Sequence, residues 1–551
     1  MKLRLRFIAL LLAIVICLPS CEFFENVLDY FGFAQSPLIE DFSRNNNSTS
    51  IEELMAEYDL TEKYVKRTLA LLDEMLIAST IENGMIAFNI IYVDFYERYM
   101  HIAQQKTISM IIFYYNTSVK TASERYNQTN DWFYDVQDKY TTTFKLIYEH
   151  SPLRDELFSA WSEEDIQSIL GYNPETLKLK KEIEKLELEY NQLTSDSFYE
   201  ASVDIYVQMV QKNNELARLC GYDNYYDYAT ENVYERDYSV ESIENFRKYI
   251  VEYIAPNYNN LCDINEDFST LSSNDKYIAR SLILNDFDEM DKNYLVDYLN
   301  SLSGAMGDSM RSIFTDKNCI FAEDENSLDT AFCTYLYEDQ APFVFLGSLN
   351  YTSTTVAHEI GHYYAYSVNP NLNSLDLLET HSQGNEFLFL SYLSEEISDD
   401  VYNVLLKDQL YSVYFVLIVP TIIDEFEYIV YNLESVEGYT SEDFDAIMDE
   451  VCEQYGGAPW IAGTLTDPYY YWRSVCIDRA VYYISYAVSA IAAIEIGVLA
   501  EKDRNAALEA YRVIVEDVTV EDKFLKALEK AGLKSPFDES VFVEIDAMMS
   551  R

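Results

Sequence analysis

The sequence predicts a mainly α-helical protein with one small sheet. Apolar residues recur at three- and four-residue steps along most of the 551 residues. Only 15 Gly and 11 Pro interrupt them, too few for an all-β chain of this length. β-Prone sequence is confined to two short runs, residues 330–336 and 342–346. A hydrophobic content of 49% supports a large core and excludes a disordered chain.

In chain order, residues 1–20 read as a bacterial lipoprotein signal peptide. Lys2, Arg4 and Arg6 form a basic start, and residues 7–18 are apolar but too short to span a bilayer. The run ends at Leu18-Pro19-Ser20-Cys21, which makes Cys21 the expected lipidated residue and predicts export with attachment to the outer face of the cytoplasmic membrane. Residues 21–50 read as a polar tether. Residues 51–200 form an N-terminal helical region, with helices expected over 51–77 and 81–118. The charged segment 174–193 carries an apolar stripe of Leu177, Leu179, Ile183, Leu186 and Tyr190, the pattern of a packed helical hairpin. Residues 201–551 form the second region. Gly221 sits where a helix C-cap is expected, and 257–325 read as helical and acidic. Two strands follow, then helices to the end. The apolar segment 481–499 carries Tyr482, Tyr483, Ser485, Tyr486 and Glu495, which reads as a buried helix rather than a membrane span.

The charge is extreme: 94 Asp and Glu against 39 Lys and Arg, a formal net charge of −55. Losing residues 1–20 makes it three units more negative. Such a chain repels nucleic acid and anionic lipid, so no nucleic-acid partner is expected. Six cysteines follow Cys21, none in CxxC spacing. An exported protein can pair them, and no cysteine metal site is indicated.

The chemistry concentrates at His358-Glu359-Ile360-Gly361-His362. Around it Val356, Ile360, Tyr363 and Tyr364 keep helical spacing. Residues four apart share a helix face, so His358 and His362 can aim two imidazole nitrogens at one ion, with Glu359 beside them as general base. That is the start of a catalytic zinc site, which needs a third protein ligand and an open position. The metzincin pattern would need a glycine at position 365 and a histidine at position 368; Ala365 and Val368 exclude it. The ligand is therefore expected on the next helix, after Asn373-Ser374 as an N-cap pair. There Glu379, Gln383 and Glu386 share a face, while His381 projects about 160° from Glu379 at roughly 100° per residue. Glu379 ranks first, Glu386 second, His381 third, and Asp376 outside them.

Residues 355–362, followed by Glu379-Thr380-His381-Ser382-Gln383-Gly384-Asn385-Glu386, resemble the thimet oligopeptidase and oligoendopeptidase F family of zinc peptidases. The resemblance extends over roughly residues 202–539. Residues 331–334 resemble the strand leading to the active site, 342–346 the edge strand that pairs with substrate backbone, and 480–487 the tyrosine-bearing helix. It implies two helical lobes around a deep channel, one zinc ion per chain, and short peptides as substrates. It implies Glu379 as the third ligand. It implies Tyr483 and Tyr486 as donors to the oxyanion, with Tyr482 in reserve. The family places a His shortly before these tyrosines. Residues 469–481 hold none, and Arg479 is the nearby donor instead.

The expected function is zinc-dependent hydrolysis of oligopeptides by an exported lipoprotein. A carboxypeptidase or dipeptidase on the same scaffold is the alternative within the enzymes. A degenerate, zinc-bearing peptide-binding lipoprotein is the alternative outside them.

Overall fold

Helices dominate the computed structural model, which describes Ile39 and residues 48–161, 163–171, 173–193, 198–256, 268–283, 289–322, 324–347, 352–370, 374–456, 470–519 and 522–549. The expected signal peptide, Cys21, Cys262 and most of the expected tether lie outside these residues. The tether's last residues are bonded to the body. The Thr49 N–H donates to the Cys319 carbonyl at 2.8 Å, and Ser50 N-caps the helix Ile51–Glu57 in a capping box with Glu53.

The single helix expected over 51–77 is two, Ile51–Glu57 and Glu62–Ser79. Tyr58 is extended, and Thr61 accepts from the Tyr64 N–H to begin the second. Then come α1 (Met85–Tyr115) and α2 (Lys120–His150), which share a core with the preceding helix through Leu72, Met75, Phe95, Val136 and Ile147. Helix α3 (Pro174–Asn191) buries Leu179, Ile183 and Leu186 in one cluster with Val203, Tyr206 and Met209 of α4 (Phe198–Leu219), the expected hairpin. Gly221 ends it at φ +93°, and the Tyr222 N–H reaches back to the Ala217 carbonyl at 3.0 Å.

The sheet has three strands in the order β1 (Cys319–Phe321), β3 (Ala341–Leu346), β2 (Ala331–Leu336). β3 pairs parallel to β1 and antiparallel to β2. The strands depart from the sequence expectation in two ways. β1 falls in a stretch read as helical, because three residues are too few to show a period. The edge strand facing the site is β2, not 342–346. β3 is central, with Phe343 to Leu346 all buried, and a continuous apolar run is what a strand covered on both faces requires.

The rest is helical: α5 (Ser353–Val368), α6 (Leu375–Glu396), α7 (Asp399–Tyr431), α8 (Ile484–Lys502) and α9 (Arg504–Glu516). α8 is apolar enough to cross a membrane, yet 72% of its 18-residue apolar stretch is buried inside the protein. Its composition is that of a helix packed on all sides. Cys220, Cys333, Cys452 and Cys476 are free thiols, and no disulfide joins two cysteines among the described residues.

Candidate active site

α5 begins where Thr352 and Thr355 cap one another, and Val356, Ala357, Ile360, Tyr363 and Tyr364 bury its inner face. Tyr363 and Tyr364 lock it at its far end: Tyr363 OH lies 2.9 Å from Asn318 Nδ2, and Tyr364 OH donates to Glu516 at 2.6 Å. The opposite face leaves His358 and His362 partly open, their rings 5.0 Å apart.

α6 crosses α5 in near contact. A Cβ on Gly361 would stand 2.5 Å from the His381 carbonyl oxygen and 2.7 Å from Ser382 Cα. Asn385 pins the crossing by donating to the Ala357 carbonyl at 2.7 Å and accepting from Tyr298 OH at 2.6 Å. Only glycine at 361 permits this approach. Gly361→Ala is expected to destabilise the fold by about 1–3 kcal/mol through overpacking against backbone, measurable as a lowered Tm.

The close crossing delivers Glu379. Its Oε2 lies 3.5 Å from His358 Nε2 and 3.6 Å from His362 Nε2, and all three donors fall within 4.8 Å of one another. Donors held about 2.0–2.2 Å from one tetrahedral ion sit roughly 3.4 Å apart, so this His/His/Glu set fits zinc. Electrostatics agree at His362 and Glu379. Burial pushes His362 down to about 3 against the pull of Glu379, leaving a neutral imidazole. Burial opposes charge on Glu379, but His362, His358 and the Tyr482 hydroxyl hold it down at about 2.

Glu386 takes another place than a ligand's. Its Oε1 lies 2.6 Å from His358 Nδ1, the ring nitrogen away from the cluster, and its Oε2 accepts from Gln409 Nε2 at 3.0 Å. A carboxylate on Nδ1 orients the ring and would leave Nε2 to face an ion. Burial alone would lower His358; its bonds to Glu379 and Glu386 outweigh that and raise it well above the usual range. His381 turns away, as its projection predicts, and lies 2.9 Å from the Ile514 carbonyl. Asp376 faces Arg236, Ser485 and Tyr238 instead.

Glu359 is buried beside the cluster, and its Oε2 has no hydrogen-bond partner. Burial pushes it up to about 7; His358 and Arg479 pull against this, and Glu379 and Glu386 add to it. Cys333 of β2 lies near enough to feel its charge.

The three tyrosines divide. Tyr482 is buried and donates its hydroxyl to Glu379 Oε1. Tyr483 and Tyr486 are half-buried, packed edge-on against it and each other. Burial and then Glu379 raise Tyr486 above its usual range, so its hydroxyl stays a donor. Tyr483 and Arg479 line a cavity of about 490 Å³ with Tyr126 of α2, Glu187 of α3, Phe332 of β2 and Thr330. The Arg479 guanidinium sits 5.1 Å from the centre of the Tyr482 ring. The sequence reading missed Gln409, which carries no local signal, and Tyr366, one turn past His362 and within reach of the Glu379 charge.

Fold and site together describe a large helical peptidase fold with a His-Glu-x-x-His helix packed against a glutamate-bearing one. It is the fold of PZ peptidase A and oligoendopeptidase F. PZ peptidase A, determined with an inhibitor, matches over 93% of this chain and 98% of its own, with a TM-score of 0.67 and 19% identity. A candidate oligoendopeptidase F from Bacillus anthracis str. Ames matches over 94% and 98%, with a TM-score of 0.65 and 20% identity. Oligoendopeptidase-F from Enterococcus faecium matches over 90% and 97%, with a TM-score of 0.57 and 13% identity. No protein-family model matches the sequence, and no curated protein matches it.

Proposed function

We propose that this chain is a zinc-dependent peptidase that hydrolyses peptide bonds in short oligopeptides. The observation that carries the reading is the convergence of His358, His362 and Glu379 beside a buried, unpartnered Glu359 carboxylate oxygen. When bound, zinc supplies Lewis-acid polarisation of the scissile carbonyl and of the attacking water. Glu359 takes the water's proton and returns it to the leaving amine. Tyr483 and Tyr486 donate to the developing oxyanion, while Tyr482 holds Glu379. β2, at the sheet edge, offers backbone along which an extended peptide adds as a further strand. The structural neighbours' descriptions as peptidases support the same reading.

Purified protein is expected to carry stoichiometric zinc, to cleave a quenched fluorescent peptide, to lose that activity to a chelator and to regain it with zinc. A zinc-loaded protein without turnover is the degenerate binder instead. Glu386→Ala is expected to weaken zinc binding by about 10- to 100-fold, the usual cost of losing a ligand's orienting carboxylate, as read by competition with a chromogenic chelator.

Arg479 at the cavity favours one second reading, a carboxypeptidase or dipeptidase whose cation holds the substrate's free carboxylate. Cleavage of peptides blocked at both ends excludes it. Export and lipidation at Cys21 are part of the proposal on the strength of residues 1–21 alone; Cys21→Ala is expected to release the protein from the membrane fraction.

A further inference from the structure

Tyr482 reaches Glu379 from a strained backbone. Val481 has φ +61°, a left-handed conformation that β-branched residues avoid. Such a conformation persists only where the surroundings over-determine it. Here they are buried groups from two distant parts of the chain. On one side the Tyr234 hydroxyl donates to the Ala480 carbonyl at 2.6 Å. Arg236 Nη2 donates to the Val481 carbonyl at 2.8 Å, the Ser485 hydroxyl at 3.1 Å and the Tyr482 carbonyl at 3.5 Å. On the other side Glu427 Oε1 of α7 accepts the Val481 N–H at 2.9 Å. Arg236 and Glu427 are both buried, as is Val481.

We propose that Arg236 and Glu427 are positioning residues of the catalytic site. They clamp residues 480–485 in the conformation that carries Tyr482 onto Glu379 and presents Tyr483 and Tyr486 at the cleft. The inference rests on the peptidase reading above. Arg236 also faces Asp376, one turn before Glu379 on α6, so one cation bears on the 480–485 segment and on the helix that carries Glu379. A clamp that served the fold alone would have no need to hold the segment bearing all three tyrosines in a left-handed turn.

Glu427→Leu removes the acceptor for the Val481 N–H, and Glu427→Gln keeps one. Cobalt(II) in place of zinc gives a visible spectrum that senses how Glu379 is held. Glu427→Leu is expected to shift the cobalt bands in the same direction as Tyr482→Phe. It is expected to lower kcat by about tenfold to a hundredfold, the loss that a small misplacement of reacting groups causes, with KM little changed. Glu427→Gln is expected to restore both readouts toward wild type. A folded, metal-loaded Glu427→Leu with wild-type kcat and an unshifted cobalt spectrum overturns the proposal. Where that variant does not fold, Arg236→Lys replaces it, keeping the charge but losing the fork, with the same expected and overturning results. A wild type that binds cobalt but cleaves no peptide overturns the peptidase reading, while the spectral comparison still decides the clamp. A wild type that binds no metal overturns both.

Discussion

Glu359→Gln is expected to lower kcat by about 10²- to 10⁴-fold, the contribution of a positioned general base, while leaving zinc content and Tm near wild type. The carboxylate sits on the same helix as His358 and His362 and is buried beside them. Burial, reinforced by Glu379 and Glu386, pushes it up to about 7. A base with that affinity can take a proton near neutral pH and give it back within one turnover. Glutamine matches its shape and keeps one acceptor oxygen, but cannot take the proton. The substitution breaks no bond, because Oε2 has no partner to lose. Zinc content by mass spectrometry, peptide turnover and a melting curve on the same preparation check the expectation. Turnover at the wild-type level would remove Glu359 as the base.

The grouping of His358, His362 and Glu379 was legible in the sequence because most of it is local. His358, Glu359 and His362 share one helix, where spacing alone fixes relative direction. Glu379 required a second helix, whose start was marked by Ser374 and whose face was given by the Glu379, Gln383, Glu386 spacing. Projection also turned His381 away correctly, toward Ile514. What stayed hidden depends on pairs far apart in the chain. Gln409 stands behind Glu386, and Glu427 and Arg236 hold Val481 across 54 and 245 residues. No local period encodes such pairs. The strand order was hidden for the same reason: burial, not propensity, decides which of two apolar strands is central. Tyr482 was ranked behind Tyr483 and Tyr486 as a site residue. Its hydroxyl instead goes to Glu379, a division that adjacent tyrosines in a Tyr-rich chain cannot announce.

Glu379→Ala is expected to remove zinc binding and turnover together, which separates it from Glu359→Gln. Glu379 Oε2 is the carboxylate oxygen facing both Nε2 atoms. Two imidazoles without it leave a divalent ion one donor short of the three protein ligands that catalytic zinc sites use. The loss of affinity should therefore exceed that of Glu386→Ala, where all three donors remain. The fold suffers as well. Glu379 is buried and held at about 2 by His362, His358 and Tyr482, so it is ionised at neutral pH and paired. Deleting one member of a buried ionic pair costs about 3–5 kcal/mol, and the Tyr482 hydroxyl is left buried without its acceptor. A lowered Tm is thus expected even in excess chelator, where metal cannot contribute. Glu379→Gln keeps an acceptor for Tyr482 but gives up the negative charge. It should recover much of that Tm and little of the zinc affinity. A Glu379→Ala protein that retains stoichiometric zinc and wild-type turnover would assign the third ligand elsewhere.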